Sequence, residues 1–300
     1  MKLILAFVLA VLLFSHTVLS AAESALPADE IPAECKTAVP DGGTVTKVEY
    51  PSRDYYKDGA EITKTALVYL PAGYTEEERY DVLVLCHGIG GTEYEWGFAS
   101  RDSVGKSIAD HLIANGEIRP LIIVMPNGRS TADFSNTDWS NMQSFYSFGQ
   151  EIRNDLLPWI DQHYSTYGSL TMHDLSASRD HRYMAGLSMG GMQTINIGMC
   201  ECMDLFSAFG AFSAAPTSYT SAQIAEKIKA FDMYSIRMFY SLCGTEDTIA
   251  YASASQAAKD LPDYTGRLTA ENWIWQQRSG NHDFGIWFLG LYNFLRIVGK

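Results

Sequence analysis

From residue 44 onward, apolar residues gather in short runs separated by longer stretches with a different period. The runs at 44–50, 64–70, 82–87, 121–126, 182–187, 207–213, 237–243 and 271–277 are continuous or alternating and read as strands. Segments 100–114, 147–163, 189–199, 221–231, 251–261 and 285–298 repeat their apolar positions at three and four residues and read as helices. No helix separates the first two strands, so they are expected to pair as an antiparallel hairpin. Beyond them strand and helix alternate. That order predicts an α/β fold, with a mostly parallel central sheet of about eight strands covered by helices on both faces.

One strand-to-helix junction carries a chemical motif. Gly186-Leu187-Ser188-Met189-Gly190-Gly191 follows the apolar run Tyr183-Met184-Ala185 and precedes Met192-Gln193-Thr194-Ile195. A serine between two glycines at such a junction is the G-x-S-x-G turn, in which the backbone bends so sharply that only glycine fits on the flanks. The serine hydroxyl then stands above the sheet, near the positive end of the following helix. A Gly-x-Ser-x-Gly string also occurs by chance in glycine-containing loops, so the reading of Ser188 as a nucleophile depends on partners elsewhere in the chain.

Those partners appear in the order that the α/β-hydrolase layout requires: nucleophile, then acid, then histidine. Cys86-His87-Gly88-Ile89-Gly90-Gly91 ends the third strand, where this layout places half of an oxyanion hole. The N–H groups of Ile89 and Met189 are the candidate donors to a developing negative oxygen. His87 precedes the nucleophile and is read as holding this loop by hydrogen bonding. His282, in Ser279-Gly280-Asn281-His282-Asp283-Phe284, is the candidate base, because the acid and the base should both follow Ser188. For the acid, the strand ending at Cys243 runs into Gly244-Thr245-Glu246-Asp247, and Asp247 is preferred. Glu246 is its rival, since neighbouring residues point in different directions and sequence does not fix the angle. Asp283 suits a helix start.

The N-terminus has its own pattern. Lys2, the apolar run Leu3 to Phe14 and the small residues around Ser20 to Ala22 read as a signal peptide over 1–22, the apolar run being shorter than the roughly 20 apolar residues of a membrane span. This predicts a secreted protein, extracellular or periplasmic, with no membrane segment after cleavage. Residues 23–43, with three prolines and Gly42-Gly43, read as a flexible leader, and 44–300 as one catalytic domain. Hydrophobic residues make up 47% of the chain, enough for a sizeable core, and the formal net charge of −13 disfavours nucleic acid and anionic membranes as partners. Five cysteines, Cys35, Cys86, Cys200, Cys202 and Cys243, form no dense disulfide framework, and one must be unpaired within a monomer. Cys200-Glu201-Cys202 lacks the paired spacing of a zinc site, so no metal is expected.

Taken together, His87-Gly88-Ile89-Gly90-Gly91, Arg182 through Gly191, Gly244-Thr245-Glu246-Asp247, His282-Asp283-Phe284 with Trp287, and Leu291-Tyr292-Asn293-Phe294-Leu295 resemble one known group. They are similar to the feruloyl esterases and related acyl esterases of the first carbohydrate esterase family, over Thr65 to the C-terminus. The resemblance implies a Ser188, Asp247, His282 triad and no cofactor. It implies as substrate a feruloylated or acylated plant cell-wall polysaccharide or oligosaccharide, such as arabinoxylan. An acetylxylan or general short-chain esterase would use the same triad, and a non-catalytic glycan-binding protein would need none of it. Segment 127–148 is a long loop at the expected site edge, rich in aromatics. There Trp139 is the candidate to pack on a phenolic ring or sugar face, while Phe145 and Phe148 read as core. Gly88 and Glu93 complete the candidate substrate-binding set, Glu93 having a helix-capping role as its alternative.

Overall fold

The computed structural model describes residues 27–99, 103–171 and 173–300. The expected signal peptide lies outside the described residues. Among those described, eight strands form one sheet: β1 (Thr44–Arg53), β2 (Glu61–Leu70), β3 (Asp81–Cys86), β4 (Leu121–Pro126), β5 (Arg182–Leu187), β6 (Ala208–Phe212), β7 (Met238–Gly244) and β8 (Trp273–Arg278). Their order across the sheet is β1-β2-β4-β3-β5-β6-β7-β8. The first two pair antiparallel, as expected for a hairpin, and β2 also runs antiparallel to β4. From β4 across to β8 every pairing is parallel. This is the α/β-hydrolase arrangement expected from the alternation.

The parallel strands are continuous apolar runs because both of their faces are covered. β3, β4, β5, β6 and β7 are buried at every position. Side chains alternate across the sheet: Val82, Val84 and Cys86 join one core, and Leu83 and Leu85 the other. The second core is covered by α1 (Val104–Ala114) and by the apolar C-terminal helix α7 (Phe284–Val298). The first is covered by α2 (Phe148–Glu151), α3 (Leu157–His163), α4 (Met189–Gln193), α5 (Ser221–Lys227) and α6 (Tyr251–Tyr264).

Several expected helices are segmented. The stretch 147–163 is α2 and α3 joined by a π turn at Ile152–Leu156, preceded by a 3-10 helix at Trp139–Ser147. Helix 189–199 is α4 continued by a π turn at Thr194–Met199, and 221–231 is α5 followed by a 3-10 turn. Apolar spacing does not separate these helix types, since all of them keep three to five residues per turn on one face.

The expected leader over 23–43 is corrected where it is described. It is not a free linker: Ile31 and Cys35 are buried in the core beneath α7. The Ala28 N–H donates to Asn293 Oδ1 at 2.8 Å, and the Ala28 carbonyl accepts from Asn293 Nδ2 and Gln276 Nε2 at 3.0 and 2.9 Å. Proline and glycine content signalled an irregular backbone, which is correct, but irregular backbone docks well when its polar groups find side-chain partners. All five cysteines are free and buried.

Candidate active site

Ser188 stands between β5 and α4 with φ 50° and ψ −115°, a left-handed conformation held by its surroundings. Its N–H donates to Phe212 O at 2.9 Å, and its carbonyl accepts from Met192 and Ala215 N–H at 3.0 and 2.9 Å. Glycine is required on both flanks. A Cβ on Gly186 would run into the Gly190 backbone, and one on Gly190 into the Cys86 carbonyl. The start of α4 is thereby brought against the end of β3, which carries the loop 87–91.

His282 enters from the loop between β8 and α7. Its Nε2 is 3.0 Å from Ser188 Oγ and its Nδ1 is 2.7 Å from Asp247 Oδ2. Trp287 places its ring edge against the imidazole at 5.1 Å, with the planes nearly perpendicular. Asp247 is buried just past β7, and its Oδ1 accepts from Ile249 and Ala250 N–H at 2.9 and 2.8 Å. Burial alone would raise its pKa. The hydrogen bonds from Ala250, His282 and Ser213 outweigh that and hold the carboxyl below its ordinary value. Glu246 turns the other way: exposed, it accepts from the Gly280 N–H and the Thr245 and Ser279 hydroxyls, bracing the histidine loop from outside. Asp283 caps α7 through Gly285 N–H at 2.9 Å.

The loop 87–91 runs close beside the serine, since a Cβ on Gly88 would sit 3.4 Å from Ser188 Cβ. Met189 is the first residue of α4, so its N–H has no partner within the helix. The Ile89 and Met189 side chains share a small apolar cluster with Phe145, Met192 and Ala215. His87 is fully buried. Its Nε2 accepts from Gly128 N–H at 3.0 Å, which leaves the proton on Nδ1 to donate to Gly88 O at 2.7 Å. Burial, reinforced by the nearby Arg129 charge, pushes its pKa down to about 3, so it is a neutral brace rather than a base.

The substrate-binding candidates divide. Gly88 lies beside Ser188, and Trp139 is exposed on the 139–147 turn, 70% accessible. Glu93 is corrected: it is buried, with its carboxylate accepting from Thr65 Oγ1 at 2.8 Å and Asn127 Nδ2 at 3.3 Å. Phe145 and Phe148 are in the core. Two further residues, Arg129 and Glu95, reach this loop without a sequence motif that marks them. Both touch the 88–91 backbone. The sole sequence signal for Arg129 was a cation three positions past the end of the apolar strand β4. A cavity of about 220 Å³ lies between α5 and α6, with Ala214 and Pro216 among its lining residues, and Ser188, Asp247 and His282 do not line it. Among the described residues, no group of three or more His, Cys, Asp or Glu is placed to hold a metal ion, and no helix is long and apolar enough to cross a membrane.

Comparison with known proteins adds the context. The chain is 34% identical over 264 residues to endo-1,4-beta-xylanase Y of Acetivibrio thermocellus, covering 83% of this chain and 22% of that protein. It is 32% identical over 200 residues to an endo-1,4-beta-xylanase/feruloyl esterase of Xylanibacter ruminicola, covering 64% and 24%. The chain thus spans less than a quarter of the length of these curated relatives. Among solved structures it is similar to a serine-to-alanine mutant of the feruloyl esterase module from Clostridium thermocellum complexed with sinapinate. There the identity is 30%, the TM-score 0.72, and the coverage 92% of this chain and 94% of that one. A ferulic acid esterase from the anaerobic fungus Anaeromyces mucronatus shares the fold at 21% identity, with TM-score 0.73 and coverage of 90% and 97%. The family described as "Putative esterase" matches residues 61–283, and the chain belongs to this esterase family of the α/β-hydrolase superfamily.

Proposed function

We propose that this protein is a secreted serine esterase that releases ferulate or a related hydroxycinnamate from arabinose-substituted xylan. The observation that carries the reading is His282, whose two ring nitrogens reach Ser188 Oγ and Asp247 Oδ2 at once. In this reading His282 Nε2 takes the Ser188 proton as Oγ attacks the ester carbonyl carbon. The negative oxygen of the tetrahedral intermediate lies between the N–H groups of Ile89 and Met189. Collapse breaks the bond to the sugar oxygen, which leaves with the proton from His282. Water then repeats the sequence on the acyl-enzyme and frees the acid. Asp247 stays ionised throughout, orienting the imidazole and stabilising its charged form.

The aromatic acyl group follows from the likeness to the feruloyl esterase module seen with sinapinate. Export is supported by Lys2 and the apolar run Leu3 to Phe14. The test is a substrate panel with purified protein and its Ser188→Ala variant. Methyl ferulate should be hydrolysed faster than an acetyl ester, and only by the unmodified protein. Faster turnover of acetylated xylan would favour the acetyl esterase reading, and residual turnover in Ser188→Ala would remove Ser188 from the mechanism.

A further inference from the structure

Ile89 lies between two peptide units whose polar atoms are bonded by the side chains of His87, Glu95 and Arg129. Ahead of it, the Gly88 N–H donates to Glu95 Oε2 at 2.6 Å and the Gly88 carbonyl accepts from His87 Nδ1 at 2.7 Å. Behind it, the Ile89 carbonyl accepts from Arg129 Nη2, and the Gly91 carbonyl from Arg129 Nη1 at 2.8 Å. In a trans peptide the C=O and the following N–H point in opposite directions. Fixing Gly88 O therefore aims the Ile89 N–H away from His87, and fixing Ile89 O sets the next plane.

Arg129 is fully buried, with its guanidinium 4.9 Å from the Phe145 ring centroid. Its backbone belongs to the segment after β4 that also reaches the nucleophile helix. Gln193 Nε2 in α4 donates to Gly128 O at 2.8 Å, and Gly128 N–H donates to His87 Nε2 at 3.0 Å. Lys64, buried against Glu151 at 3.2 Å, donates to Asn127 O at 3.0 Å and also to Arg129 O. One short segment therefore holds both the loop bearing Ile89 and the helix that begins at Met189.

We propose that Arg129 is a positioning residue of the oxyanion hole: its fork clamps the Ile89 and Gly91 carbonyls and so fixes the peptide plane that follows Ile89, which together with the hold of His87 on the plane before it keeps the Ile89 N–H in place relative to the Met189 N–H. The inference rests on the esterase reading above. Arg129 touches no reacting atom. Its effect appears where the oxygen becomes negative, since misaimed donors weaken the transition state more than the ground state.

The test compares Arg129→Lys, which keeps a buried cation but lacks the rigid two-pronged fork, with Arg129→Gln. Both are assayed on methyl ferulate and for inhibition by an aryl trifluoromethyl ketone, whose oxygen becomes an oxyanion when Ser188 adds to it. The expected result is a kcat lowered about tenfold for Lys and about a hundredfold for Gln, with KM within about threefold. The inhibition constant should rise by the same factor as kcat/KM falls. A folded variant with kcat within twofold of the unmodified protein overturns the proposal. So does a lowered kcat with unchanged ketone affinity, or failure of both variants to fold, which would assign Arg129 to the fold alone. If the unmodified protein does not hydrolyse methyl ferulate, or Ser188→Ala does, the esterase reading falls instead.

Discussion

Asp247 and His282 meet at 2.7 Å, whereas Glu246, one residue before Asp247, holds the backbone of the same histidine loop from its solvent side. Two adjacent carboxylates thus have separable tasks. Asp247→Asn is expected to lower kcat on methyl ferulate by about 10³- to 10⁴-fold, by analogy with the loss seen when a triad aspartate becomes an amide. Glu246→Gln should cost no more than a few-fold. Equal losses from the two substitutions would contradict this division.

Ser188 is held at φ 50°, a region that costs a non-glycine residue about 1–3 kcal/mol. Ser188→Gly should therefore raise the unfolding free energy by about 1 kcal/mol while abolishing hydrolysis. Urea unfolding of the two proteins measures it, and a destabilised glycine variant would show that the serine conformation carries no strain.

His87 titrates at about 3 in the folded chain, against about 6.5 when unfolded. Between these values the unfolded chain binds a proton that the folded chain refuses. Stability from this group is thus complete above pH 6.5 and declines as pH falls toward 3. The loss from pH 7 to pH 5 should be about 2 kcal/mol. His87→Gln should flatten that part of the stability curve, as read from denaturant melts at several pH values.

Asn293 is buried and bonded to both backbone groups of Ala28, as well as to Gln276 Oε1 at 3.1 Å. Asn293→Ala leaves the Ala28 N–H without its partner and the Ala28 carbonyl with Gln276 Nε2 alone, and should destabilise the protein by about 1–3 kcal/mol. Proteolysis within residues 27–37 should accelerate in parallel. Unchanged protection there would mean that the segment is held by Ile31 and Cys35 alone.

Trp139 has most of its surface open to solvent. Trp139→Ala should leave the melting temperature unchanged and raise KM several-fold on a feruloylated arabinoxylan oligosaccharide, with methyl ferulate little affected. Equal KM values on the oligosaccharide would exclude a role in gripping the sugar.

The legible parts of this molecule were those written in local pattern. Runs such as Leu121–Pro126 announce a strand covered on both faces, and Gly186 and Gly190 announce the turn between them, because a side chain at either position collides with backbone. The angle between neighbouring residues was not legible. Glu246 and Asp247 differ only in which way a loop turns after β7. Nor were contacts made across the fold: Glu93 was a candidate for the substrate site with helix capping as its alternative, but its partners Thr65 and Asn127 lie on β2 and after β4. Arg129 escaped notice for the same reason, since what it grips is backbone, and backbone leaves no mark in the sequence.

The docked segment at Ala28 has a consequence for how the chain reaches its final form. Ala28 and Asn293 are separated by 265 positions, so the beginning of the described chain completes its bonding only after the last helix is in place. Contacts of such long range are slow to close. Until then Ile31 and Cys35 have no cover, and their surface is open to proteases and to neighbouring chains. The residues made early are thus among the last to be secured, and a linker joining the two ends would shorten that wait.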